Sequence, residues 1–242
     1  MVSISLFPYD KIRPEQDELI KDIHAAVSGG KCLIAHAPTG LGKTAAALAP
    51  ALEFALKAKK TVFFLTSRHT QHAIAVETAR LIKQKHNADF SVADIVGKKH
   101  MCARDDVSGL YNKQFHEYCR SLVESDSCNF YSNFKKGSML TSDSKIVIAT
   151  ITAEPMHSEE VVDVARRHGT CPYEVAVVAA KDSALVIADY YYLFNPQVRD
   201  GFLRKTGKTV EESIIIVDEA HNLPDRLREM LTDKLSTSVI ER

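Results

Sequence analysis

Two short stretches place a lysine, two glycines and two acids where chemistry on a phosphate needs them. Ala37 to Thr44 reads APTGLGKT. Gly40 and Gly42 permit a tight turn whose N–H groups point inward, and a helix starting there adds the positive end of its dipole. Lys43 is then in place to reach the β- and γ-phosphates of ATP, and the Thr44 hydroxyl to ligate Mg²⁺. Ala37, Pro38, Thr39, Gly40, Leu41, Gly42, Lys43 and Thr44 are therefore the candidate nucleotide-binding residues. Ala37 stands where the general pattern G-x-x-x-x-G-K-[ST] has its first glycine. The second stretch, Ser213 to Asn222, reads SIIIVDEAHN. Asp218 closes an apolar run, and ligands in open α/β sheets sit at the carboxyl ends of strands. Asp218 can hold Mg²⁺ through water, Glu219 can orient and deprotonate the attacking water, and His221 is placed to couple the site to another domain. Alone, DEAH could equally begin a surface helix. With the phosphate loop upstream, the two stretches read as the two halves of one ATPase site.

Something must hold those halves together, and the patterning supplies it. PEQDELIKDIHAAV carries Leu19, Ile20, Ile23 and Val27 at helical spacing, with Pro14 in the first turn and Gly29-Gly30 as a stop. KCLIAHA reads as a buried strand before the phosphate loop, and an alanine-rich helix follows to about Lys57. TVFFLT is a second strand and HTQHAIAVETARLIKQKH a second amphipathic helix. This alternation is the rhythm of a parallel α/β sheet. It breaks near Gly97. From Lys98 to Pro172 the chain is polar, apart from SKIVIAT, which reads as a strand, and SEEVVDVARRHG, which reads as a helix capped by Ser158 and stopped by Gly169. ALVIADYYYLF and SIIIVDEAHN resume the rhythm.

The 242 residues are 45% hydrophobic and 26% charged, enough for one sizeable core and a small module. Lys+Arg and Asp+Glu are both 31, so a globally basic nucleic-acid binder is not indicated. No apolar run is long enough to span a membrane, and the first residues lack the pattern of a secretion signal. The expectation is a cytoplasmic monomer, nucleoid-associated in a prokaryote or nuclear in a eukaryote. In a reducing compartment the five cysteines are free thiols or metal ligands rather than a disulfide framework. Cys102, Cys119, Cys128 and Cys171 are widely spread with no C-x-x-C pair, so spacing leaves their role open. Cys32, inside KCLIAHA, is expected to be an inert core thiol.

The motifs resemble a known family. APTGLGKT with DEAH resembles a superfamily 2 helicase motor, and FPYDKIRPEQ, FFLTSRHTQ, ADYYYLFNP and VDEAHN resemble, in order, segments of XPD-type helicases. The resemblance covers nearly the whole chain. It implies a RecA-like P-loop parallel sheet as a first motor domain, interrupted by a small [4Fe–4S] domain. It implies that Gln16 reads the adenine and that Ser67, Arg68 and Thr70 lie near the nucleic-acid backbone. GKKHMC, SCNFYSNF and GTCPYE resemble the segments that carry the cluster ligands, which makes Cys102, Cys119, Cys128 and Cys171 the implied set, with FHEYCRSL around Cys119 the least distinctive. The implied boundaries are 1–96 for the first part of the motor domain, 97–177 for the cluster insertion, 178–224 for the rest of the motor domain with its DEAH box, and 225–242 for the start of an arch-like insertion. A second motor domain is absent on this reading, so the chain alone is expected to be an incomplete motor.

The implied function is the ATP- and cluster-bearing part of a 5′→3′ DNA helicase acting in unwinding and nucleotide excision repair, with single-stranded or forked DNA and repair proteins as partners. Lys98, Lys99 and His100, Lys135 and Lys136, and Arg166 and Arg167 flank the cysteines and are candidates for a basic face. Phe130, Tyr131 and Phe134 are either stacking surfaces for bases or packing for the insert. Two other functions stay open. One is a non-catalytic module that binds nucleic acid or a partner. The other is a zinc-stabilised nucleotide-binding protein, since zinc also accepts four thiolates.

Overall fold

The computed structural model describes residues 5–38 and 40–232. Its centre is a four-stranded parallel sheet of β1 (Thr61–Leu65), β2 (Val92–Ile95), β5 (Leu185–Ala188) and β6 (Ser213–Val217), in the order β2-β5-β1-β6. Two further strands, β3 (Lys135–Lys136) and β4 (Met139–Leu140), form a separate antiparallel hairpin.

Alternation along the strands sends side chains into two helical layers. Val62, Phe64, Val92, Leu185 and Ile187 meet α2 (Lys43–Ala58) and α3 (His69–His86) through Leu48, Leu52, Val76 and Ile82. Phe63, Leu65, Ile95, Val186 and Ala188 meet the opposite layer, made of α6 (Ser142–Ala153), α7 (Ser158–Arg167), α8 (Pro172–Ala179), α9 (Tyr191–Phe194) and α10 (Pro196–Thr206). β1, β2 and β5 are buried on both faces, which is why β1 and β5 read as largely apolar runs; β2, VADI, carries a buried acid and gives no such signal. α1 (Pro14–Ser28) seats Ile20 against Ala45, Ala46 and Ala49 of α2, whose small side chains admit a close approach.

Between β2 and β5 the main sheet gains no strand. That stretch holds α4 (Asn112–Glu124), α5 (Asn129–Ser132), the hairpin and α6 to α8. SKIVIAT, expected as a strand, is helical and lies within α6. The Thr141 hydroxyl caps the helix by accepting from the Ser144 N–H, and Val147 and Ile151, four apart, share its buried face. The cap of α7 is His157 rather than Ser158, which is the first helical residue.

KCLIAHA also departs from expectation. Residues 31–38 form no strand, Ile34 is fully exposed and Cys32 lies at the surface rather than in the core. No strand pairs with this run, and the outer edge of β6 has no partner among the described residues, so its apolar side chains stay in solvent. The segment expected to begin an arch-like insertion opens as α11 (Leu223–Leu231), and its residues 233–242 lie outside those described.

Candidate active site

The parallel register brings the ends of three strands level. Leu65 pairs with Ala188 on one side and Val217 on the other, and the Asp218 N–H donates to the Leu65 carbonyl at 2.8 Å. Ser67 and Arg68, Asp189 and Tyr190, and Asp218 and Glu219 therefore emerge together at the carboxyl edge.

The phosphate loop is shaped by its glycines. Gly40 and Gly42 have φ of +84° and +80°, and Gly42 is the left-handed residue before α2. A Cβ on Gly42 would stand 2.5 Å from Gln16 Nε2, so this position needs glycine for both reasons. α1 braces the loop from behind. Arg13 Nη1 donates to the Gly40 carbonyl at 2.7 Å, and the Arg13 N–H donates to Gln16 Oε1 at 3.0 Å. Gln16 is buried against the loop rather than solvated, while Arg13 is a loop contact the sequence reading missed. No side chain caps the first turn of α2, whose amides are left for an anion. Thr44 is half-buried in that turn, Ala37 and Leu41 are half-buried and Pro38 is exposed, while Thr39 lies outside the described residues.

Lys43 spans the two motifs. Its Nζ donates to the Ala37 carbonyl at 3.2 Å and lies 3.9 Å from Glu219 Oε1. Glu219 Oε2 is in turn 3.4 Å from Nδ1 of the exposed His221. Oδ2 of Asp218 is buried with no hydrogen-bond partner. Burial, and next the charge of Glu219, push the Asp218 carboxyl above its ordinary range, against the pull of Lys43. An orphaned carboxylate oxygen beside a lysine and a second acid fits the donor set of a Mg²⁺–phosphate site. Tyr190, fully buried, donates its hydroxyl to the backbone carbonyl of Asp218. The sequence offered no period or spacing that would single it out.

The four remaining cysteines line one pocket with an empty volume of about 490 Å³. Cys102 comes from the loop after β2, Cys119 from α4, and Cys128 and Cys171 from the residues that precede α5 and α8. Met101, Val107, Phe115 and Leu122 give the pocket apolar walls. Burial pushes the Cys171 thiol up to about 12 and raises Cys102 as well. Among the described residues no three His, Cys, Asp or Glu side chains gather closely enough to hold a single metal ion.

The DEAD_2 family model matches residues 64–240. The chain belongs to the DEAD_2 family. Among relatives, it is 26% identical to the general transcription and DNA repair factor IIH helicase subunit XPD of Arabidopsis thaliana, over 97% of this chain and 32% of that protein. It is 23% identical to the XPD/RAD3 subunit of Saccharomyces cerevisiae, over 98% and 32%. A regulator of telomere elongation helicase 1 homolog of Caenorhabditis briggsae is 28% identical over 74% of this chain and 17% of that protein. The chain thus spans about a third or less of these relatives' length. A solved XPD helicase superposes with a TM-score of 0.61 at 22% identity, over 92% of this chain and 35% of that one. A truncated XPD gives 0.58 at 20% identity, over 95% and 58%. The fold is the one these two XPD structures share with this chain.

In this DEAD_2 chain the residues expected near nucleic acid divide. Arg68 and Thr70 are exposed at the carboxyl edge and Ser67 is half-buried. Lys98 turns inward: it lies 3.3 Å from Glu174 and over the Tyr173 ring, and is no free phosphate contact. The Lys99 ammonium donates to the Leu110 carbonyl, and Arg166 lies 3.3 Å from Asp105. His100, Lys136 and Arg167 are exposed, and Lys135 lies over the Tyr131 ring. Phe134 belongs to the core, while Phe130 and Tyr131 line the cysteine pocket, so packing accounts for the aromatics.

Proposed function

We propose that the chain is the ATP-binding, cluster-bearing part of an ATP-dependent DNA helicase of XPD type, moving 5′→3′ and serving nucleotide excision repair. The observation that carries this reading is the approach of Lys43 to Glu219 at 3.9 Å, next to the unpartnered Oδ2 of Asp218. On this reading the α2 amides, Gly40 and Gly42 cradle the phosphates, Gln16 reads the adenine, and Thr44 and Asp218 hold Mg²⁺, which neutralises charge on the β- and γ-phosphates. Glu219 aligns the attacking water, and His221 beside it carries the state of the site toward a neighbouring domain.

Cys102, Cys119, Cys128 and Cys171 are the proposed ligands of a [4Fe–4S] cluster. Their sharing of one pocket supports this. A cubane gives each thiolate its own iron, so its ligands surround a larger centre than one zinc ion does. When bound, the cluster supplies folding energy to an insert with little core of its own. The domain boundaries, with 97–177 as the insertion, belong to the same proposal. So do single-stranded or forked DNA and repair proteins as partners, a reading that draws on relatives named as factor IIH subunits.

The test is Mg·ATP binding and ATP hydrolysis with and without single-stranded DNA, wild type against Lys43→Ala. Mg·ATP binding lost in the variant is the expected result, with wild-type hydrolysis slow, because the arginines of a second motor domain are missing. Equal ATP binding by the two proteins would overturn the reading.

A further inference from the structure

Resting on that reading, we propose that Tyr190 is a positioning residue for the acid pair: its hydroxyl pins the backbone of Asp218 and Glu219 so that both carboxylates face the phosphate site.

Glu219 has φ 51° and ψ 43°, a left-handed conformation that side-chain-bearing residues adopt at a cost. Something must hold it there. Three donors converge on its carbonyl: the Asn222 N–H at 2.9 Å, Asn222 Nδ2 at 3.2 Å and the Tyr190 hydroxyl at 3.1 Å. The same hydroxyl donates to the Asp218 carbonyl, so one proton is shared between two successive carbonyls. Tyr190 is fully buried beneath the strand ends, and its ring is fixed in the core cluster that includes Leu193 and Phe202. The hydroxyl is thus set by packing rather than by the mobility of the turn it supports. The reach of Glu219 Oε1 to 3.9 Å from Lys43 depends on this turn, because a return to right-handed backbone re-aims the Cβ.

Tyr192 is a matched control within the same segment. It is also buried, and its hydroxyl also donates to a backbone carbonyl, that of Val96 at 2.9 Å, away from the acids. Tyr190→Phe and Tyr192→Phe each delete one oxygen. The measurements are kcat and KM for ATP, and the gain in affinity for a fluorescent ATP analogue on adding Mg²⁺ over EDTA, which needs no turnover. Tyr190→Phe should lower kcat and the Mg²⁺-dependent gain by about five- to tenfold, the scale of one lost hydrogen bond, with affinity in EDTA unchanged. Tyr192→Phe should lower the urea midpoint without either loss. Wild-type kcat and Mg²⁺ gain in Tyr190→Phe would overturn the proposal, as would equal losses in the two variants. Lys43→Ala separates the failures: if it keeps ATP affinity, the nucleotide site itself is misassigned, whatever Tyr190 does.

Discussion

Nδ1 of His72 lies 2.5 Å from Oδ1 of Asp94, with both side chains almost wholly out of solvent. His72 is on α3 and Asp94 on β2, one of the two edge strands of the sheet. The other carboxylate oxygen accepts from the Ser158 N–H at 2.8 Å, at the start of α7. One buried carboxylate therefore fastens the main sheet to a helix of the stretch between β2 and β5.

Asp94→Ala should be strongly destabilising. It leaves the His72 ring nitrogen and the first amide of α7 without partners in the core. A loss of about 2–4 kcal/mol is expected, more than a typical surface change. Urea unfolding at constant m-value measures it. A change within error of wild type would show that water replaces the carboxylate.

Gly42→Ala tests the bracing of the phosphate loop. The new Cβ meets Gln16 Nε2 at 2.5 Å and sits on a backbone with φ +80°. Strain of about 1–3 kcal/mol is expected, relieved by driving Gln16 out of its pocket. Isothermal titration should show weaker Mg·ATP binding. The companion Gly30→Ala, also at positive φ but with nothing near its Cβ, should leave nucleotide binding intact.

Metal analysis tests the cysteine pocket. Protein purified without oxygen should contain about four irons and four sulfides per chain. Cys102→Ser, Cys119→Ser, Cys128→Ser and Cys171→Ser should each lose iron, and Cys32→Ser, at the exposed position, should keep it. One zinc and no iron in protein from anaerobic cells would refute the cluster.

Glu53 predicts a pH dependence for the N-terminal segment. Burial alone would raise its carboxyl, but hydrogen bonds from Lys57 and from the Ser5 N–H, at 2.7 and 2.8 Å, outweigh it and bring the pKa below the ordinary value. The folded state thus holds the proton more weakly than the unfolded chain. The resulting stability is present above the ordinary carboxylate range and is lost as pH falls through the depressed value. Glu53→Gln should flatten this part of the stability–pH curve. An unchanged slope would show that the tie contributes nothing.

Periodicity carried much of the fold. The eighteen residues His69–His86 read as one amphipathic helix and form one, and the three apolar runs at β1, β5 and β6 form parallel neighbours. Short runs failed where period cannot arbitrate. Residues 144–150 have the composition of a strand, yet a threonine cap and a buried Val147–Ile151 pair make them helical. KCLIAHA has strand composition, but pairing depends on an edge far away in sequence. In the site, residue type and spacing indicated Lys43, Asp218 and Glu219. Tyr190 and Arg13 act through contacts to backbone carbonyls, which leave no trace in composition. Gln16 shares the buried face of α1 with Ile20, four residues on, but its contact with Gly42 is a tertiary one that the helix pattern does not show.

The free side of β6 has a practical consequence. Among the described residues it offers an edge with no strand partner beside Ile215, which is 38% exposed, while Leu33 and Ile34 project into water from the segment before the phosphate loop. Two molecules at high concentration can satisfy both by exchange, the run from one adding as a strand to the sheet of the other. Self-association should therefore rise steeply with protein concentration, and a lysine placed at Ile34 should keep the sample monodisperse.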